Sequence, residues 1–283
     1  MAEKSPFVVS ADWLERRLGQ DSLRILDAST YLPQHNRNAR KEYDDGHIPG
    51  AVFFDQEQIV EPGIDLPHAL PSPNVFAKHA SDLGLSNADT IVVCDGFGMF
   101  AAPRVWWMLR IMGAESVFLL DGGIDNWKHS GRPLTREVPD HLPGSFVARF
   151  DPSSVVGFAE MRDIVDGGLL QIADARAAGR FAGRDPEPRE GMRSGHMPGA
   201  RNVPVLSLSE NGFLKPIEEL RRTIEASGID TNAPVVTTCG SGVTAAVITL
   251  ALQSIGNNQT RLYDGSWSEW GAKDDTPVVA GEA

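Results

Sequence analysis

The chain of 283 residues is 41% hydrophobic and 23% charged, the balance of a globular protein with one large or two ordinary domains. Its 26 basic and 38 acidic side chains give a net charge of −12, which argues against a surface that binds nucleic acid or anionic membranes. The sequence has no signal core and no run of about 18 apolar residues, and its two cysteines fit neither a disulfide framework nor a zinc pattern, so we expect a reducing, cytoplasmic compartment and no metal.

Short β-rich runs alternate with segments of helical length along the chain. Ser10 and Asn74 are predicted to cap helices over 11–18 and 75–83. The predicted strands are 23–26, 52–54, 90–93 and 117–120 in the first half, and 169–173 and 233–238 in the second, where 233–238 precedes a helix over 244–256. This alternation predicts an α/β fold in which a mostly parallel sheet is covered by helices on both faces, with the functional site at the carboxyl ends of the strands.

The chain contains one series of motifs twice. Residues 46–51 recur at 195–200, residues 95–98 line up with 239–242, and residues 120–123 line up with 263–266. The offset is nearly constant at about 145 residues, which indicates a tandem duplication. We predict a first domain over residues 1–135, a linker over 136–150 that overlaps the proline- and glycine-bearing stretch 131–144, and a second domain over 151–283.

Cys239 stands at the start of the loop between the strand 233–238 and the helix that follows it. The helix N-terminus and the loop amides would stabilise a thiolate there. A lone cysteine is more often a buried structural residue, but Gly240 and Gly242 beside the thiol favour a nucleophile. The first copy has Asp95 at the matching position and is predicted to be catalytically silent, while Cys94 is predicted to pack in the interior.

These motifs resemble the two-domain rhodanese-like sulfurtransferases over essentially the whole chain. The markers are the paired His-Ile/Met-Pro-Gly-Ala segments, the loop Cys239-Gly240-Ser241-Gly242-Val243-Thr244-Ala245 and the closing run 263–270. The loop is similar to that of the 3-mercaptopyruvate branch, since thiosulfate enzymes usually have two basic residues after the cysteine. The resemblance implies two tandem rhodanese-like domains, a persulfide on the cysteine, release of pyruvate, and no metal or organic cofactor.

The resemblance also implies roles for residues outside the cysteine. Arg180 and Arg189 match the family's substrate-binding arginines, and forked guanidinium donors suit a carboxylate and an oxo group. Ser241, His68 and Asp55 resemble a proton relay. From the residues alone, the arginines could equally be surface side chains, Ser241 could shape the loop, and His68 could be structural. The persulfide is expected among the N–H groups of the loop and helix start, namely Gly240, Ser241, Gly242, Val243, Thr244 and Ala245.

Several functions stay open from the sequence. Sulfur could pass from 3-mercaptopyruvate to cyanide, a thiol or a thioredoxin-like protein, or from thiosulfate to cyanide. The chain could also be a non-catalytic persulfide carrier or a redox-sensing module, in which the two arginines would have no task. A cysteine phosphatase is disfavoured, because that chemistry needs an arginine six residues after the cysteine and this chain has Ala245 there.

Overall fold

Two five-stranded parallel sheets make up most of the β-structure in the computed structural model, which describes residues 3–139 and 142–282. The first sheet has the order β1-β5-β4-β2-β3. Its strands are β1 (Val8–Val9), β2 (Leu23–Asp27), β3 (Ala51–Phe53), β4 (Thr90–Cys94) and β5 (Ser116–Leu120). The helices of this half are α1 (Ala11–Glu15), α2 (Ala39–Asp45), α3 (Pro73–Asp82), α4 (Ala102–Ile111) and α5 (Gly123–His129).

The second half repeats this arrangement, with the sheet order β6-β12-β11-β7-β8 and a small added hairpin. Its strands are β6 (Val155–Val156), β7 (Gln171–Asp174), β8 (Ala200–Asn202), β11 (Val235–Thr238) and β12 (Thr260–Tyr263), and the hairpin is β9 (Ser209–Glu210) with β10 (Phe213–Leu214). Its helices are α6 (Phe158–Gly167), α7 (Ala178–Phe181), α8 (Ile217–Ala226), α9 (Ala245–Ser254) and α10 (Ser266–Trp270). The predicted α/β fold with two parallel sheets is confirmed.

Helices α4 and α9 join the two halves into one body. Both are apolar on almost every side, and nearly all of their residues are buried, as expected for helices enclosed between two layers. One hydrophobic core runs through them and includes side chains from both halves, among them α3 and α8. Separate clusters lie under α1 and α5 and under α6, α7 and α10, so each sheet is covered on both faces.

Most predicted elements agree with the structure, with differences at their ends. Ser10 caps α1 as predicted, because its hydroxyl accepts a hydrogen bond from the Trp13 N–H at 3.2 Å. The predicted cap at Asn74 is wrong: α3 begins at Pro73, and Ser72 precedes it. The fixed φ of proline suits the first helical position, so the helix starts one residue before the polar side chain that suggested a cap.

The predicted linker, residues 136–150, includes Asp140 and His141, which lie outside the described residues. Its later part runs along the first half of the chain. The Gly144 N–H donates to the carbonyl of Ser81 at 2.8 Å, and the ring of Phe146 lies 5.6 Å from that of Phe76. The domain limits at 135 and 151 stay a proposal. Among the helices that the structure describes, none is long and apolar enough to cross a membrane.

Candidate active site

Cys239 follows β11 directly and lines a cavity of about 260 Å³ between the two halves of the chain. It is only 1% exposed, so a reactant must enter the cavity to reach the thiol. The start of α10 fixes its backbone: the Cys239 N–H donates to the Ser266 hydroxyl at 3.2 Å, and the Trp267 N–H donates to the Cys239 carbonyl at 3.0 Å. The thiol is therefore held at the carboxyl edge of the sheet.

The loop after Cys239 presents N–H groups that the rest of the protein leaves free. Among the described residues, the amides from Gly240 to Ala245 donate to no protein acceptor. The first half shows what this loop shape binds, because the buried Asp95 carboxylate takes the matching place and accepts four backbone hydrogen bonds. Its donors are the N–H groups of Gly98, Phe100, Ala101 and Ala102. The duplicated loop is thus an anion cradle, filled by a carboxylate in one copy and facing a thiol in the other.

Arg180 lines the same cavity and is supported by a chain of buried ion pairs. Its guanidinium contacts Glu187, with the Nε atom 3.1 Å from Oε2. Glu187 also pairs with Arg176 at 2.8 Å, and Arg176 pairs with Asp174 at the end of β7 at 2.7 Å. A Cβ atom at Gly240 would lie 3.1 Å from Arg180 Nη2, so glycine lets the arginine approach the loop. The chain of charges fixes the direction of Arg180.

Arg189 and the loop residues complete the wall on the side of the second half. Arg189 lines the cavity, and within the described part of the chain it has no hydrogen-bond or ion-pair partner. Four loop residues line the cavity with Cys239: Gly240, Ser241, Val243 and Thr244. Gly242 does not line the cavity. Glycine is needed there because its φ is +79° and because a Cβ atom would lie only 2.8 Å from the Asp264 carbonyl oxygen.

His68 enters the cavity from the first half. Its side chain is largely buried, its Nε2 atom lies 3.6 Å from Oε1 of Glu57, and its Nδ1 atom lies 3.4 Å from the Gln56 carbonyl. Burial lowers the pKa of His68 below its ordinary value of 6.5; the charges of Arg104 and Arg189 act in the same direction, and Glu57 opposes them. The imidazole is therefore neutral at pH 7 and able to accept a proton.

The structure does not bring Asp55 into the cavity. Its Oδ1 atom accepts hydrogen bonds from the N–H groups of Glu57 and Gln58 at 3.0 and 3.3 Å, which stabilises the turn after β3. The carboxylate beside His68 is Glu57, which also lines the cavity. Asp55 and Glu57 are only two positions apart in the sequence, and the local pattern gave no reason to choose the later one.

The first half also supplies an apolar wall that the motifs did not indicate. Five further residues line the cavity from this side: Thr30, Tyr31, Leu32, Pro33 and Phe100. Cys94, in contrast, is fully buried and its S–H donates to the Leu26 carbonyl at 3.3 Å. Within the described residues, no group of three or more His, Cys, Asp or Glu side chains is placed to hold a metal ion.

Comparisons with known proteins give matches over nearly the whole chain. The family model described as Rhodanese-like domain matches residues 10–130 and 158–273. The 3-mercaptopyruvate sulfurtransferase of Escherichia coli K12 is 42% identical over 271 residues, which is 95% of this chain and 96% of the relative. Thiosulfate sulfurtransferase of Cricetulus griseus is 41% identical over 271 residues, covering 93% of this chain and 91% of its own. The crystal structure of SseA from Escherichia coli, described as a 3-mercaptopyruvate sulfotransferase, superposes with a TM-score of 0.85 at 39% identity, covering 92% of this chain and 98% of SseA.

Proposed function

The chain belongs to the rhodanese-like domain family along both of its halves, and from that premise we propose that it is a 3-mercaptopyruvate sulfurtransferase. The observation that carries the proposal is the placing of charge around Cys239. The loop residues beside the thiol are neutral, whereas Arg180 and Arg189 line the same cavity. Guanidinium groups set apart from the sulfur suit a 2-oxo acid, whose carboxylate and carbonyl lie some distance from its thiol.

The reaction proceeds through two displacements on sulfur. The Cys239 thiolate attacks the sulfur of 3-mercaptopyruvate; an S–S bond forms, the C–S bond breaks, and the electron pair leaves on the enolate of pyruvate. Arg180 and Arg189 stabilise the charge on the enolate oxygen and hold the carboxylate. The proton that Cys239 loses on forming the thiolate passes to the neutral His68 and from there, with the help of Ser241, to the enolate carbon; all three side chains line the cavity. The amides of residues 240–245 surround the resulting persulfide.

In the second displacement, an acceptor attacks the outer sulfur and regenerates the Cys239 thiolate. Because Cys239 is almost fully enclosed, cyanide and small thiols reach it most directly, and a thioredoxin-like protein would have to insert its cysteine into the cavity. Both cysteines are free, which fits the reducing, cytoplasmic compartment that we propose. No resident metal or organic cofactor takes part in these steps.

Donor preference tests this function. We expect kcat/KM for 3-mercaptopyruvate to exceed that for thiosulfate by about 100-fold, because the charged contacts to a 2-oxo acid contribute about 2–3 kcal/mol that a small dianion beside a neutral loop does not gain. Pyruvate release and thiocyanate formation measure the two reactions. Equal values of kcat/KM for the two donors would favour the second candidate function, thiosulfate:cyanide sulfurtransferase. The similarity to the thiosulfate sulfurtransferase of Cricetulus griseus supports this candidate.

The role of His68 is visible in the dependence on pH. If the neutral imidazole handles the proton, kcat/KM should fall as the pH drops through the lowered pKa of His68, so the acid limb lies below pH 6.5. His68→Asn should lower kcat about 100-fold and remove this limb. Asparagine is the fitting replacement because position 68 has a φ of +57°, which it tolerates well. An unchanged acid limb in the variant would exclude His68 from the relay.

A further inference from the structure

A buried arginine of the first half reaches across to the catalytic loop of the second. Arg104 lies in α4 and is 1% exposed. Its Nη2 atom is 2.5 Å from Oδ1 of Asp264, just after β12, and 3.0 Å from the His68 carbonyl. Its Nη1 atom is 3.4 Å from the carbonyl of Gly242. One guanidinium thus touches the backbone of both sides of the cavity, although it does not line the cavity itself.

The ion pair of Arg104 with Asp264 brackets the backbone around His68. Arg104 binds the His68 carbonyl, and the other carboxylate oxygen of Asp264 accepts a hydrogen bond from the Leu70 N–H at 2.8 Å. His68 adopts the left-handed conformation, with φ +57°, which is costly for a residue other than glycine. Such a conformation persists only where its surroundings determine it, and the two contacts of the pair do so.

The same contacts hold the catalytic loop. The Gly242 carbonyl points to Arg104, so the N–H of Val243 on the same planar peptide points away from it. This fixes the orientation of one peptide in the loop that follows Cys239. A Cβ atom at Gly242 would lie 3.1 Å from Arg104 Nη1, so the close approach depends on glycine.

The interface between the two halves has a second ion pair, at the end away from Cys239, with which the Arg104–Asp264 pair can be compared. Asp121, the counterpart of Asp264, accepts a hydrogen bond from the Leu214 N–H at 2.8 Å, just as Asp264 does from Leu70. The cation at this end is Lys4, which is 49% exposed and pairs with Asp121 at 3.1 Å. Both ends therefore fasten the halves together, but only the end beside Cys239 has a buried arginine that also binds His68 and the loop.

We propose that Arg104 and Asp264 form a positioning pair for sulfur transfer, which fixes the imidazole of His68 relative to the Cys239 loop across the domain interface. This inference rests on the proposed function. Neither residue contacts the reacting atoms; the pair acts through the backbone of His68. Arg104 is only 1% exposed, so water cannot replace its partner when the charge or geometry of the pair is lost, and we expect His68 to be displaced.

Asp264→Asn tests the pair, with Asp121→Asn as the matched control. We expect Asp264→Asn to lower kcat for pyruvate release about 100-fold, as a shift of about 1 Å in a reacting group does, while KM changes less than about threefold because Arg180 and Arg189 are untouched. Asp121→Asn loses only an ion pair with a half-exposed lysine, so it should lower thermal stability less than Asp264→Asn does and leave kcat within about twofold of wild type. Arg104→Lys, which keeps the buried charge but loses the fork, is a second variant with the same expected loss of kcat.

A double-mutant cycle separates positioning from general damage. If the pair acts through His68, the double variant Asp264→Asn with His68→Asn should be no slower than His68→Asn alone. Losses that multiply, or a kcat for Asp264→Asn and Arg104→Lys equal to that of Asp121→Asn, would overturn the proposal. A wild-type protein that releases no pyruvate from 3-mercaptopyruvate would instead refute the proposed function itself.

Discussion

Cys239→Ser is expected to reduce the release of pyruvate from 3-mercaptopyruvate by about 10⁴-fold or more, the scale seen when a catalytic nucleophile is removed. A hydroxyl at this position is a poor nucleophile toward sulfur and cannot store the transferred atom as a persulfide. The cavity, both arginines and the loop amides stay in place in this variant. The loss should therefore appear in kcat, measured by a coupled assay of pyruvate, with binding of the donor retained.

Cys94→Ala is the matched control for the thiol. Cys94 lies one position from Asp95 in the first copy, is fully buried, and donates its S–H to the Leu26 carbonyl, with no path to the cavity. Burial raises the pKa of its thiol well above the ordinary range, which keeps it protonated and unreactive. We expect activity within about twofold of wild type. Turnover that persists in Cys239→Ser and vanishes in Cys94→Ala would place the nucleophile in the first half of the chain and contradict this assignment.

Arg180→Ala is expected to lower kcat/KM for 3-mercaptopyruvate by about 100-fold or more, because charge-assisted hydrogen bonds to a carboxylate contribute about 1.5–3 kcal/mol each. The effect should be confined to the first half-reaction. Loading of Cys239 by 3-mercaptopyruvate should slow in single-turnover experiments. Transfer of sulfur to cyanide from protein loaded with inorganic polysulfide should keep its wild-type rate, since the second half-reaction holds no 2-oxo acid.

Arg184→Ala controls for the loss of an arginine from the same segment. Arg184 is exposed, pairs with Glu282, and does not line the cavity. Its replacement should leave both half-reactions unchanged. If Arg180→Ala loaded Cys239 from 3-mercaptopyruvate as fast as the Arg184→Ala control, the clamp for the 2-oxo acid would be refuted and the carrier hypothesis would gain support.

The parts of the fold and site that can be predicted from the sequence are those encoded by residues next to one another in the chain. The duplication is visible because whole motifs recur, and the β-rich runs and the Cys239 loop are local patterns. Asp95 is an example. The alignment of the two copies predicts a carboxylate in place of the thiol, and in the structure this carboxylate accepts hydrogen bonds from four backbone N–H groups of the loop and helix start.

Features fixed by contacts between distant segments could not be predicted in the same way. Asp55 and Glu57 look alike in the sequence, but only Glu57 faces His68, because the amides after Asp55 bind its carboxylate in the turn. In the sequence, Arg104 is one of two arginines in an otherwise apolar helix. Its importance depends on Asp264, far away in the chain, and on the packing of α4 against the second half.

The central claim is that sulfur passes through Cys239 and no other residue, and peptide mass analysis tests it most directly. The protein is treated with one equivalent of 3-mercaptopyruvate in the absence of an acceptor, alkylated and digested. We predict a gain of one sulfur atom, about 32 Da, on the peptide with Cys239, matched by one equivalent of pyruvate, and none on the peptide with Cys94. Pyruvate release without added sulfur on the Cys239 peptide, or added sulfur on Cys94, would contradict this mechanism.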